Sequence, residues 1–213
     1  YTGMRRESEA IKKLCNIKSK VSAHYFIKKN GEVLNLVPDL YTAWHAGKSR
    51  WKKFRSLNKY SIGIEVSNSG HDFKYTKLFK NQISELEKLL RFLIKKYKIQ
   101  KQNILGHSDI SPFRKKDPGE KFPWKQLADK KLCKWHSLNE KKLKESRNSK
   151  LSSYEKRIFF KNLFLIGYSK TIGLNLKSKK IKLIKAFQMR FRQNLINGII
   201  DKECFLISKN LLK

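Results

Sequence analysis

The segment from Gly106 to Gly119, GHSDISPFRKKDPG, carries an imidazole, a lysine and a carboxylate within a stretch broken by two prolines and two glycines. Such a stretch reads as a loop, so His107, Lys115 and Asp117 can turn toward one point. Histidine and aspartate beside an open coordination position are the donors of a hydrolytic zinc site, which keeps three protein ligands and leaves the fourth position free. The loop supplies two of the three. The third ligand has to come from another part of the protein.

The elements around this loop follow from periodicity and turn chemistry. Ser22 to Phe26 and Glu32 to Val37 are β-prone runs on either side of Lys29-Asn30-Gly31, a hairpin signal. Lys59 to Asn68 (KYSIGIEVSN) reads as a buried strand centred on Ile62, Ile64 and Val66. Phe79, Ile83, Leu86, Leu90, Leu93 and Tyr97 recur at helical steps, predicting a helix that Thr76 caps and that runs to about Tyr97. Residues 134–151 turn polar and read as a linker. Ser152 to Glu155 then forms a capping box before an apolar helix that ends at Gly167. A second helix is expected from Ser178 to about Asn194, and Asp201 can cap a short third one. The expected fold class is α/β, a mixed central β-sheet flanked by helices and followed by a small three-helix bundle. The expected domains are 1–133 and 152–213.

Composition narrows the functional classes. At 213 residues, 39% hydrophobic and 12% aromatic, the chain is globular and long enough for two cores. It has no apolar run long enough to cross a bilayer. The net charge of +33 invites a nucleic-acid reading, but lysine outnumbers arginine 40 to 10, and the excess is +22 over residues 1–150 and +11 over 151–213. A reader of base edges favours arginine gathered on one face, so no specific nucleic-acid partner is expected. Cys15, Cys133 and Cys204 are far apart and odd in number. They read as small buried hydrophobes rather than a disulfide or zinc framework.

Several ordered motifs resemble a known family. They are Val21-Ser22-Ala23-His24-Tyr25, Ala43-Trp44-His45-Ala46-Gly47, Ser61-Ile62-Gly63-Ile64-Glu65, the 106–119 loop, and Phe122-Pro123-Trp124. In this order they resemble the zinc-dependent N-acetylmuramoyl-L-alanine amidases of the AmpD/AmiD type, related in fold to peptidoglycan recognition proteins. The resemblance implies Zn2+ held by His107, Asp117 and a histidine directly before Tyr1. It implies Glu65 as general base and Lys115 as the group that stabilises the oxyanion. It also implies substrate contacts from Trp44, His45, Ala46, Asn68 and Arg114.

Glu65 has a physical argument of its own, because a carboxylate in an apolar strand is costly unless it is paired or used. His24 reads as a core group, and His71 and His136 as surface residues. Ile166-Gly167-Tyr168, Ala186 to Arg192 and Asn197 to Asp201 resemble the three-helix peptidoglycan-binding domain of many such amidases. Deleting residues 150–213 would then spare cleavage of soluble muropeptides and weaken retention on insoluble wall.

The implied partner is peptidoglycan or a muropeptide, and the implied state a monomer. The implied location is the bacterial envelope, periplasmic, with the cytoplasm as alternative. A non-catalytic peptidoglycan-binding protein on the same fold is the alternative function.

Overall fold

A computed structural model describes residues 1–213. In chain order the regular elements are α1 (Glu7–Cys15), β1 (Tyr25–Ile27), β2 (Val33–Asn35), β3 (Arg50–Trp51), β4 (Phe54–Arg55), β5 (Ile64–Val66) and α2 (Lys80–Tyr97). They continue with α3 (His107–Ile110), α4 (Trp124–Asp129), α5 (Glu140–Glu145), α6 (Ser153–Ile166), α7 (Leu176–Phe191) and α8 (Lys202–Asn210). No helix is long and apolar enough to cross a membrane.

Two compact units emerge, and they do not follow chain order. One comprises Tyr1–Ser49, Phe54–Ile104 and Lys121–Leu132; the other comprises Arg50–Lys53, Leu105–Glu120 and Cys133–Lys213. The loop carrying His107 and Asp117 thus belongs to the same unit as the C-terminal helices.

The first unit is built on a mixed three-stranded sheet in the order β2-β1-β5. β1 pairs antiparallel with β2, and parallel with β5 in a register that sets Phe26 opposite Glu65. The hairpin signal was sound. Asn30 Oδ1 accepts from the Glu32 N–H at 3.0 Å, and Gly31 takes the positive φ that an Asn-Gly turn supplies. α2 packs on β1 through Leu86, Leu89, Leu90 and Leu93, over the fully buried Phe26 and Ile27.

The helix starts later than expected. Thr76 caps nothing, because its carbonyl accepts from the Asn68 side-chain amide at 3.0 Å. Phe79 precedes the first turn instead, donating its N–H to Gln82 Oε1 at 3.1 Å, while the buried Gln82 amide donates to Ser67 O at 2.9 Å. Phe79 is accordingly exposed, and Gln82 takes the inward position expected for an apolar residue.

The second unit gathers α6, α7 and α8 around Phe159, Leu163, Phe187 and Ile207. Phe159 meets Phe187 edge-on at 5.3 Å, a favoured aromatic arrangement. The Ser152–Glu155 capping box and the Asp201 cap form as the residue types dictate. Residues 134–151, expected as a linker, hold α5 with Leu143 buried. They also contribute Arg147, which grips Glu203 at 2.6 and 2.9 Å. Two assignments change as a result. His136 is buried, stacked on Trp135, because Trp135 packs against Phe191 of α7. Cys15 is exposed, whereas Cys133 and Cys204 are buried and burial pushes their thiols up to about 11 and about 12.

A cluster in the first unit makes stability pH-dependent. Asp39 accepts from Tyr25 Oη at 2.7 Å, Tyr97 Oη at 2.7 Å and Lys96 Nζ at 3.0 Å. Burial pushes the Asp39 carboxyl up, but these donors outweigh it and leave the group below the usual carboxylate range. Burial and Asp39 push the Tyr25 phenol up to about 12. A depressed carboxylate stabilises the fold above its unfolded pKa and loses that contribution as pH falls through the folded value. The raised phenol stabilises below its unfolded pKa, near 10, and loses its contribution as pH approaches about 12. Asp39→Asn should flatten both limbs of a plot of melting temperature against pH. An unchanged profile would remove this cluster from the account.

Candidate active site

The loop that opens at Gly106 is shaped by its own backbone. Asp117 O accepts from the Ser108 N–H at 2.8 Å, and Ser111 O accepts from the Arg114 and Lys115 N–H groups at 3.0 and 2.9 Å. These bonds fold the chain back so that His107 Nδ1 stands 3.0 Å from Asp117 Oδ2. Both side chains are mostly buried, with 14% and 13% exposed. Burial pushes the Asp117 carboxyl up, but the hydrogen bond to His107 prevails, with help from the Lys115 charge, and holds it well below the usual range. A zinc ion requires a carboxylate ligand to be ionised, and Asp117 is held in that form. The loop offers that ion two suitable donors, and no three His, Cys, Asp or Glu side chains cluster in this chain to supply a third.

The loop has a support that local spacing did not reveal. Asp109, two residues beyond His107, is 1% exposed. Its Oδ2 accepts from the Gly106 N–H at 2.8 Å, closing the first turn of α3. Its Oδ1 accepts from Tyr168 Oη at 2.6 Å, and Arg190 of α7 ion-pairs with Oδ2 at 2.5 Å. Tyr168 is also buried, edge-on to Trp51. A charged residue between Met189 and Phe191, with no acid within helical reach, was the one available sequence signal for this network. The finding revises the expectation for a truncated chain. Removing residues 150–213 would strip Asp109 of both partners and unsettle the turn that presents His107, so cleavage of soluble muropeptides would not be spared.

In the first unit Glu65 lies at the middle of β5. Its Oε2 is buried without a hydrogen bond, 3.5 Å from Tyr1 N. The opening residues are held alongside, with the Thr2 N–H donating to Val66 O and the Gly3 N–H to Asn68 O.

His45 packs flat on Gly63. A Cβ there would stand 2.2 Å from the imidazole, so glycine is the residue that permits this approach. His24 accepts from the Gly63 N–H at Nδ1, 3.0 Å away, and therefore donates from Nε2 to Tyr41 O, also at 3.0 Å. It is the core group expected, and it orders the segment around His45, whose ring lies 5.5 Å from its own.

Trp44 is 47% exposed and open to a ligand. Ala46 is 0% exposed and its N–H goes to Asn58 at 2.7 Å, which supports the segment. Asn68 is 4% exposed. Its amide goes to Thr76 and its Oδ1 accepts from the Gly70 N–H, which commits it to the loop after β5. Arg114 is exposed and donates to Ser111 Oγ at 3.2 Å. Lys115 is half-buried on the same loop.

Comparison with known proteins adds a second line of observation. The family described as N-acetylmuramoyl-L-alanine amidase matches residues 1–120. The chain is 34% identical over 206 residues to the N-acetylmuramoyl-L-alanine amidase AmiD of Escherichia coli (strain K12), a match covering 91% of this chain and 74% of AmiD. It is 40% identical over 105 residues to the 1,6-anhydro-N-acetylmuramyl-L-alanine amidase AmpD of the same organism, covering 49% of this chain and 55% of AmpD. Among solved structures, E. coli AmiD in complex with anhydro-N-acetylmuramic acid-L-Ala-D-gamma-Glu-L-Lys superposes with a TM-score of 0.87 at 31% identity, covering 100% of this chain and 86% of that one. AmpDH3 from Pseudomonas aeruginosa superposes with a TM-score of 0.85 at 29% identity, covering 99% and 88%.

Proposed function

Because the chain belongs to the N-acetylmuramoyl-L-alanine amidase family, we propose that it hydrolyses the amide between the lactyl group of N-acetylmuramic acid and L-alanine at a zinc centre. The observation that carries the zinc assignment is the apposition of His107 and Asp117 at 3.0 Å in a mostly buried loop. A histidine directly before Tyr1 would complete the ligand set. The Thr2 and Gly3 bonds to β5 would bring such a residue in beside Glu65. Bound zinc supplies a polarised carbonyl and a water with pKa near 7. Glu65 takes a proton from the attacking water at its carboxylate and delivers it to the leaving amide nitrogen of L-alanine. The Lys115 ammonium stabilises the negative oxygen that develops at the scissile carbonyl. Trp44, His45 and Arg114 are assigned to substrate contact.

The likeness to AmiD spans nearly the whole chain and that to AmpD about half, which favours the envelope-facing branch with a peptidoglycan-binding C-terminal module. Titration calorimetry tests the metal assignment. The chain starting at Tyr1 should bind zinc weakly, the same chain with a preceding histidine tightly, and His107→Ala should abolish tight binding in the latter. Equal zinc affinity with and without the added histidine would overturn the proposed ligand set.

A further inference from the structure

The amidase chemistry leaves one face of the second unit unexplained. Between Glu155 and Asp201 the chain has no acidic residue and eleven basic ones, of which Arg190 and Arg192 are buried in ion pairs and the other nine are not. Three of them, Lys177, Lys179 and Lys180, crowd the start of α7, whose first turn contains no acid. Positive charge at a helix N-terminus opposes the macrodipole, so helix stability does not account for these lysines. Lys179 reaches back to Ile172 O at 3.0 Å and Lys180 lies over the Phe160 ring at 5.4 Å. The middle of α6, the loop after it and the start of α7 therefore meet at one surface.

That surface is also apolar. Ile172 is 70% exposed, Leu174 88%, Leu176 40%, Ile181 37% and Ile199 63%. The Asn197-Gly198 turn joins it, since Gly198 abuts the Ile181 side chain. Contiguous exposed aliphatics mark an interaction site. Their chemistry narrows the partner. Single-stranded nucleic acid is held on aromatic platforms, and aliphatic tips offer a glycan no hydrogen bonds. Aliphatic tips ringed by lysines, whose stems lie along apolar surface while the ammonium groups stay in water, suit the boundary of an anionic bilayer.

We propose that this face docks on a membrane surface carrying anionic phospholipid, with Ile172 and Leu174 entering the headgroup boundary and Lys177, Lys179 and Lys180 meeting the phosphates. The proposal does not rest on the zinc chemistry, although Lys182 of the same helix donates to Phe113 O of the amidase loop at 3.2 Å, so its test reads vesicle binding and not turnover. The test is co-sedimentation of the whole chain with vesicles of phosphatidylcholine alone and of phosphatidylcholine with phosphatidylglycerol. Binding should require the anionic lipid and weaken with salt. It should drop roughly fivefold for each lysine removed in Lys179→Gln and Lys180→Gln. The paired Ile172→Ser and Leu174→Ser change should weaken it at every salt concentration. Ile172 and Leu174 are exposed, so the melting temperature of their paired variant should stay at the wild-type value. Lys179 and Lys180 are half-buried, so Lys177→Gln, at an exposed residue, serves beside them and should show the same roughly fivefold loss with an unchanged melting temperature. Failure to sediment with anionic vesicles, or sedimentation indifferent to both sets of substitutions, would overturn the proposal. It would also be overturned if the substitutions spared vesicle binding but abolished retention on insoluble peptidoglycan, which would assign the face to the wall polymer.

Discussion

Replacing Arg190 by methionine should lower the unfolding free energy by about 3–5 kcal/mol, the range seen when one partner of a buried ion pair is removed. Methionine preserves much of the volume, so the loss isolates the charge. Asp109 would be left 1% exposed with Tyr168 and the Gly106 N–H as its remaining partners. An uncompensated carboxylate in that setting either takes up a proton or breaks out toward water. Either response disturbs the turn that begins at His107, so zinc retention should fall together with stability. Adding Asp109→Asn to Arg190→Met should recover part of the lost stability, because the charge that needed a partner is gone. Thermal unfolding of the single and double variants checks both statements. A loss under about 1 kcal/mol in Arg190→Met, typical of an exposed pair, would show that the network is not a support for the loop.

Glu65→Ala should have the opposite profile. Turnover should fall by roughly 10²–10⁴, the usual contribution of a positioned acid–base group, while the melting temperature holds or rises. The reason lies in its surroundings. Glu65 Oε2 is buried without a hydrogen bond. A carboxylate kept in that condition costs stability, and sites that break the rules of local satisfaction are expected where function demands it. Glu65→Gln should lose as much turnover with the shape retained, and both variants should hold zinc as the parent does. Lys115→Ala should also depress turnover by roughly 10²–10³ through loss of the oxyanion contact. If Glu65→Gln kept near-normal turnover, the proton-transfer role would be wrong.

These two predictions mark the limits of what the sequence made legible. The hairpin at Asn30-Gly31, the Ser152–Glu155 capping box and the Asp201 cap depend on residues within four positions of one another, and all three form. The His107–Asp117 apposition was readable because proline and glycine force that short stretch back on itself. Errors appeared where a long-range partner outbid a local one. Thr76 gives up helix capping because Asn68 holds it, and His136 leaves the surface because Trp135 packs on Phe191. Ala46 and Asn68 sat in the right motifs, but burial and the bonds to Asn58, Thr76 and Gly70 commit them to structure. The bond between Asp109 and Arg190 spans 81 residues, and no periodicity or turn rule reaches that far. Its only trace was a lone arginine on an apolar helix face.

The most direct test of the central assignment is product analysis in water enriched in heavy oxygen. The zinc-loaded protein, with a histidine before Tyr1, would be incubated with an N-acetylmuramyl peptide and the fragments weighed by mass spectrometry. The account predicts a free peptide with L-alanine at its amino terminus and one heavy oxygen in the lactyl carboxylate of the sugar fragment. Cleavage at a peptide bond within the stem, or at a glycosidic bond, with the lactyl–alanine amide left intact, would contradict it.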